Sequence, residues 1–200
     1  LNVAVMIPWR ARTARVPAYH LVRAWYAVHV PEAQIMTVDT DHEPFNLGAC
    51  RNAAVELAAG LGADVIIISD ADTLPPPSAL AAAIAQAGDH RLHIPFDNCV
   101  YAGTDSPPGL ANGGVHVVTP TFWETVGGQD ERFVGWGGDD DQLVAVAKCL
   151  VGVVRHPGLA VSLWHSDAER ICAQPNRDLV GEYWRAVSNP TAMRKLIAQR

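Results

Sequence analysis

The sequence predicts an α/β fold built on a mainly parallel central sheet flanked by helices. Three observations carry this. Strand-like runs alternate with helical patterns through the first half of the chain, as βαβ units do. The run DVIIIS (residues 64–69) is short, apolar and β-branched, as expected of a central strand covered on both faces. The chain has 200 residues, 49% of them hydrophobic, enough for the core of one domain spanning residues 1–200.

The elements follow in order. VAVMIP (residues 3–8) and AQIMTV (33–38) precede DVIIIS as strands, with helical patterns at 19–29 and 48–59 between them. In the second of these, Ala, Val and Leu recur on a helical period. Another helix is expected at 77–87. LHIPF (92–96), GVHVVT (114–119) and AVSLW (160–164) are strand-like, and 140–150 is helical. A last helix at 179–199 must break at Asn189-Pro190, since proline lacks an amide proton and restricts the residue before it. Residues 97–114 and 127–141 are expected to be loops; on a rigid α/β scaffold such loops usually carry the ligand site.

The bulk properties narrow the function. A net charge of −6 with no Lys/Arg cluster disfavours nucleic acid as a partner, without excluding it as a substrate. No run reaches the ~18 apolar residues of a membrane span. No signal peptide is evident, so a cytoplasmic location is expected. Cys50, Cys99, Cys149 and Cys172 form no CxxC pair or zinc spacing and are expected to be small buried residues in a reducing compartment.

Three constellations carry chemistry. In SDADTLPPP (69–77), Asp70 and Asp72 follow directly on an apolar strand. Ligands of open α/β sheets bind beyond the carboxyl ends of strands. Two carboxylates there can share a divalent cation and a ribose, and oxygen ligands suit Mg²⁺ or Mn²⁺. The plainer alternative is that Asp72 caps the next turn and Asp70 is solvated. In GWGGDDD (135–141), glycines permit a tight turn and Asp139, Asp140 and Asp141 open a helix, where its dipole favours acids. The dipole accounts for one or two of them; three beside Trp136 supply a sugar-stacking face, acceptor groups for hydroxyls and a base for an acceptor proton. In WHSD (164–167), His165 is able to complete a metal site with Asp72, although a lone histidine is more often polar surface.

Taken together, these residues resemble the GT-A glycosyltransferases, and most closely the β-1,4-galactosyltransferase family. The resemblance runs in order through VMIPWRAR (5–12), FNLGACRN (45–52), SDADTLP, ANGGVHVV (111–118), GWGGDDD and WHSD. It implies that Asp72 and His165 hold a Mn²⁺ or Mg²⁺ ion. It implies further that Asp70 meets the donor ribose or sugar, and that Pro8, Arg10, Arg12, Phe45 and Asn46 face the nucleotide of a UDP-sugar. Gly114 would let the donor sugar approach the strand. Asp140 would be the general base, Asp139 and Asp141 would hold acceptor hydroxyls, and Trp136 would stack between donor and acceptor. The reaction so implied moves a hexose-type sugar to a hydroxyl with inversion. The acceptor class is open among glycan, protein, lipid and modified nucleobase.

The chain departs from the family in places. Asp139 stands for its glutamate, Ser162 for its metal-binding methionine and Leu47 for the arginine of Phe-Asn-Arg. The membrane anchor and stem of the animal enzymes are not seen. The polypeptide N-acetylgalactosaminyltransferases share a similar Gly-Gly…Trp-Gly-Gly-Glu pattern and retain anomeric configuration, so a retaining transferase is the first alternative. A nucleotidyltransferase would need a glycine-rich phosphate loop, and IPWRARTARV has no glycine. A sugar-binding module without turnover is the remaining alternative.

Overall fold

The computed structural model describes residues 1–163 and 173–200. Its larger sheet has six strands in the order β2-β1-β3-β7-β5-β8. These are β1 (Val3–Pro8), β2 (Gln34–Val38), β3 (Val65–Ser69), β5 (Leu92–Ile94), β7 (Val115–Val118) and β8 (Val153–Arg155). β1 pairs parallel with β2 and β3, and β5 parallel with β8. β7 runs antiparallel to both of its neighbours, so the sheet is mainly parallel with one reversed strand.

The sequence explains the centre of this sheet. All six residues of β1 and all five of β3 are buried, as unbroken apolar runs require. Ile66, Ile67 and Ile68 are at most 1% exposed, and burying each contributes about 1.5–3 kcal/mol. α1 (Val16–His29) joins β1 to β2, and α2 (Leu47–Gly60) carries the chain back across β1 to β3. Right-handed crossovers in opposite directions put these two helices on opposite faces of the sheet. Asn46 caps α2 by accepting from the Ala49 amide at 2.9 Å.

Four features were not expected. A second sheet, ordered β4-β9-β6, joins β4 (Thr73–Leu74), β9 (Leu159–Ser162) and β6 (Asn98–Tyr101). β6 lies inside the expected loop 97–114, because it finds its hydrogen-bond partners about sixty residues away on β9. β8 and α4 (Pro120–Val126) are also additional; Thr119 caps α4 through the Phe122 amide. After α3 (Pro77–Gln86) and α5 (Asp139–Leu150), the C-terminal helical pattern splits into α6 (Gln174–Ala186) and α7 (Pro190–Ile197) at Asn189-Pro190, as expected. Among the described residues, no helix is long and apolar enough to cross a membrane.

Candidate active site

The sheet directions create the site. β1, β2 and β3 end at one edge, and reversed β7 begins there, with Ser69 opposite Val115. Asp70 leaves β3 and donates its amide to the Gly114 carbonyl at 2.7 Å. Asp72 follows at the start of β4, and the Leu163 amide donates to its backbone carbonyl at 2.6 Å. His165 is two residues beyond Leu163 and lies outside the described residues, so the structure says nothing of its assigned place.

A side chain that the sequence reading passed over organises this edge. Arg51, in α2, is 1% exposed. It donates to Asp70 at 2.8 Å, to Asp140 at 2.7 Å and to Asp139 at 3.1 Å, and so ties the β3 carboxylate to the acidic end of α5. Its signal was readable. Ala54, Val55 and Ala58 sit three, four and seven residues on, all buried, which places Arg51 on the apolar stripe of its helix. A cation in that position needs buried anionic partners.

The charges around Arg51 are unequal. Burial disfavours its ionised form, but Asp140, Asp70 and Asp139 together outweigh that and hold it protonated. Burial, reinforced by neighbouring carboxylates against the pull of Arg51, raises Asp70 to about 6. Burial and then Asp140 raise Asp139 to about 7. For Asp140 burial acts upward, yet the charge of Arg51 prevails and its carboxyl is held below the usual range. His116, on β7, is pushed down to about 4 by burial, so it is neutral and donates Nε2–H to the Asn112 carbonyl at 2.7 Å.

Arg15 approaches Asp72 at 3.3 Å. Four carboxylates, Asp70, Asp72, Asp139 and Asp140, therefore gather around the guanidinium groups of Arg15 and Arg51. An all-oxygen donor set fits a hard divalent cation. Among the described residues there is no group of three His, Cys, Asp or Glu side chains arranged to hold a metal by themselves. Asp72 would therefore need a ligand from residues 164–172 or from a substrate.

The remaining candidates are placed as follows. Gly135, Gly137 and Gly138 all take positive φ, which only glycine adopts freely. They leave Trp136 51% exposed at the rim. Asp139 is turned inward and 7% exposed, with Arg51 as its partner. Asp140 lies flat on Gly113, where a Cβ would stand 2.0 Å from its Oδ2. Gly114 has φ +107°, and a Cβ there would meet Thr73 at 2.9 Å. Asp141 accepts from Asn112 at 2.5 Å, and Arg155 donates in turn to the Asn112 side-chain oxygen and, at 2.8 Å, to the Ala111 carbonyl.

At the end of the first strand, Pro8 closes β1 and Arg12 is exposed. Arg10 forks onto Asp39 at 2.7 and 2.8 Å, reaches Glu43 at 2.8 Å and lies over the Phe45 ring. Asp39, just past β2, is a second participant that the sequence reading did not single out. Asn46 is buried, its side chain occupied by the Ala49 amide and the Glu131 carbonyl. Three cysteines have described positions: Cys50 and Cys99 are buried and Cys149 is half-buried.

The fold belongs to a known class. A family model described as the N-terminal domain of galactosyltransferase matches residues 103–164, which hold the Gly113-Gly114 strand and the Trp136–Asp141 segment. No curated protein sequence matches the chain. Among solved structures, a point mutant of the Drosophila β1,4-galactosyltransferase 7 in complex with manganese, UDP-Gal and xylobiose is similar at 19% identity and TM-score 0.55. That likeness covers 78% of this chain and 64% of that one. GalNAc-T7 with UDP, GalNAc and Mn²⁺ is similar at 12% identity and TM-score 0.57, covering 100% of this chain and 54% of that one. S. aureus TarS 1-349 in complex with UDP-GlcNAc is similar at 10% identity and TM-score 0.60, covering 100% and 71%. The chain has the GT-A fold of these glycosyltransferases. It spans a little under two thirds of the Drosophila structure.

One prediction arises from the charge balance. The Asp139 carboxyl titrates near 7 in the fold against an ordinary 3.8, so its ionisation costs stability as pH rises between those values. Asp139→Asn removes that cost and leaves the histidines unchanged. The melting temperature of the variant relative to the parent is expected to rise by a few degrees between pH 5 and pH 8, by differential scanning fluorimetry. A difference independent of pH contradicts the assignment.

Proposed function

We propose that the chain is a divalent-cation-dependent glycosyltransferase. It moves a hexose-type sugar from a UDP-sugar to an acceptor hydroxyl with inversion, and Asp140 is its general base. The observation that carries the proposal is the joining, through one buried arginine, of the Asp70 carboxylate at the end of β3 to the acidic start of α5.

The residues divide the work as follows. Asp72 and His165 would hold the cation. When bound, such a cation neutralises charge on the departing diphosphate. Asp70, fixed by Arg51 and by the Gly114 backbone, is positioned for the donor ribose or sugar. Trp136 offers an exposed ring for stacking a sugar. Asp140 keeps Oδ1 on Arg51 while Oδ2 rests over Gly113, the strand that the resemblance places beside the donor sugar. The acceptor oxygen bonds to the anomeric carbon, the bond from that carbon to the diphosphate oxygen breaks, and the hydroxyl proton passes to Asp140. Arg51 keeps Asp140 ionised, which makes it ready at neutral pH but only weakly basic. Proton transfer must therefore accompany C–O bond formation rather than precede it. Asp141, held by Asn112, is placed for an acceptor hydroxyl. Asp139 serves the reaction through Arg51.

The reading is tested by incubating the protein with a panel of UDP-sugars and candidate acceptors, with and without chelator, and detecting glycosylated product by mass spectrometry. Cation-dependent transfer is expected with one class of hexose donor; absence of transfer and of donor hydrolysis throughout opposes it. A retaining transfer is the second reading, favoured by the likeness to GalNAc-T7 along the whole chain. The anomeric coupling of the product by NMR decides between the two.

A further inference from the structure

Three arginines lie between β1 and α1, and the structure treats them differently. Arg10 is committed to Asp39 and Glu43. Arg12 is exposed. Arg15, the residue before α1, turns its guanidinium to Asp72 and approaches Oδ2 at 3.3 Å. Among the described residues this is the only polar contact of its side chain, and Nε is buried with no partner. A guanidinium has five N–H donors, and leaving one of them buried and unsatisfied is unfavourable. Arg15 therefore sits at Asp72 with unused donor capacity, beside a carboxylate whose other oxygen accepts from the Thr73 hydroxyl at 3.2 Å.

We infer that Arg15 and the divalent cation exchange on Asp72, and that the displaced guanidinium then grips the diphosphate of the donor. The inference rests on the reading of Asp72 as a cation ligand. The physical argument is competition followed by recruitment. A cation arriving at Asp72 claims the oxygen that Arg15 faces, and the two positive charges repel at that distance. Arg15 is anchored by its backbone at the start of α1, so it is displaced only by the length of its own side chain. The group that best uses its unsatisfied fork there is a phosphate oxygen pair. The site then binds the cation weakly by itself and more strongly once a nucleoside diphosphate has given Arg15 a new partner. The two ligands are coupled through one side chain, and coupling of this kind is reciprocal.

This arrangement makes two predictions of opposite sign for Arg15→Ala. Mn²⁺ binding without nucleotide, followed by the EPR signal of free Mn²⁺, is expected to tighten several-fold, because Asp72 loses a competitor. UDP binding at saturating Mn²⁺, followed by calorimetry, is expected to weaken by roughly tenfold, which corresponds to about 1.4 kcal/mol. Arg15→Lys keeps the charge without the fork and is expected to lie between parent and Arg15→Ala on both axes. A residue that only supports the fold would weaken both ligands together when removed. That result, or no change in either, overturns the inference. The underlying reading has its own control. If the parent binds Mn²⁺ and Asp72→Asn abolishes it, the cation site stands whatever Arg15 does. If Asp72→Asn leaves Mn²⁺ binding unchanged, the site reading fails and the exchange with it.

Discussion

Replacing Arg51 with methionine is expected to cost about 3–5 kcal/mol of stability at pH 8, because it strands three carboxylates around an uncompensated buried site. The loss depends on pH. Asp70 and Asp139 already titrate near 6 and 7, and without Arg51 both move higher. At pH 5 they are protonated and the variant is closer to the parent. Urea denaturation at the two pH values measures this, with the larger gap at pH 8. A variant as stable as the parent at pH 8 would show that the carboxylates have another source of compensation. The same substitution is expected to abolish transfer, since it frees Asp70 and Asp140 from a common anchor.

Asp140→Asn has the largest expected effect on chemistry alone. Asparagine keeps the shape that lies on Gly113 and still accepts from Arg51, so the fold and donor affinity are expected to be retained. Transfer is expected to fall by ~100- to 10,000-fold, the range that general base catalysis supplies. Steady-state kinetics with a donor from the panel reads both quantities. Turnover within a few-fold of the parent would remove Asp140 from the base role and favour the retaining reading.

Some of this architecture could be read directly from the chain. β1 and β3 are legible because central strands need no alternation, and their apolar runs are unbroken. β6 was not legible, because its four residues owe their conformation to β9 and lie in a stretch rich in glycine and proline. α4 carried a signal that went unused: a threonine cap followed by proline at its first position. In the site, the carboxylates announced themselves as charges at strand and helix ends. Arg51, their partner, and Asp39, the partner of Arg10, did not, because both become meaningful only when distant segments meet. The local pattern placed Arg51 on an apolar helical face, but it could not say which acids were waiting there. Asn112 is a similar case, since its tie to Asp141 spans 29 residues.

The central claim is that the sheet edge around Asp72 binds a nucleotide-sugar with the help of a divalent cation. Calorimetric titration of the parent and of Asp72→Asn with a UDP-hexose, in Mn²⁺ and in chelator, tests it most directly. Binding is expected for the parent in Mn²⁺ and is expected to be lost both in chelator and in Asp72→Asn. Equal binding under all of these conditions, or no binding of any UDP-hexose to the parent, would contradict it.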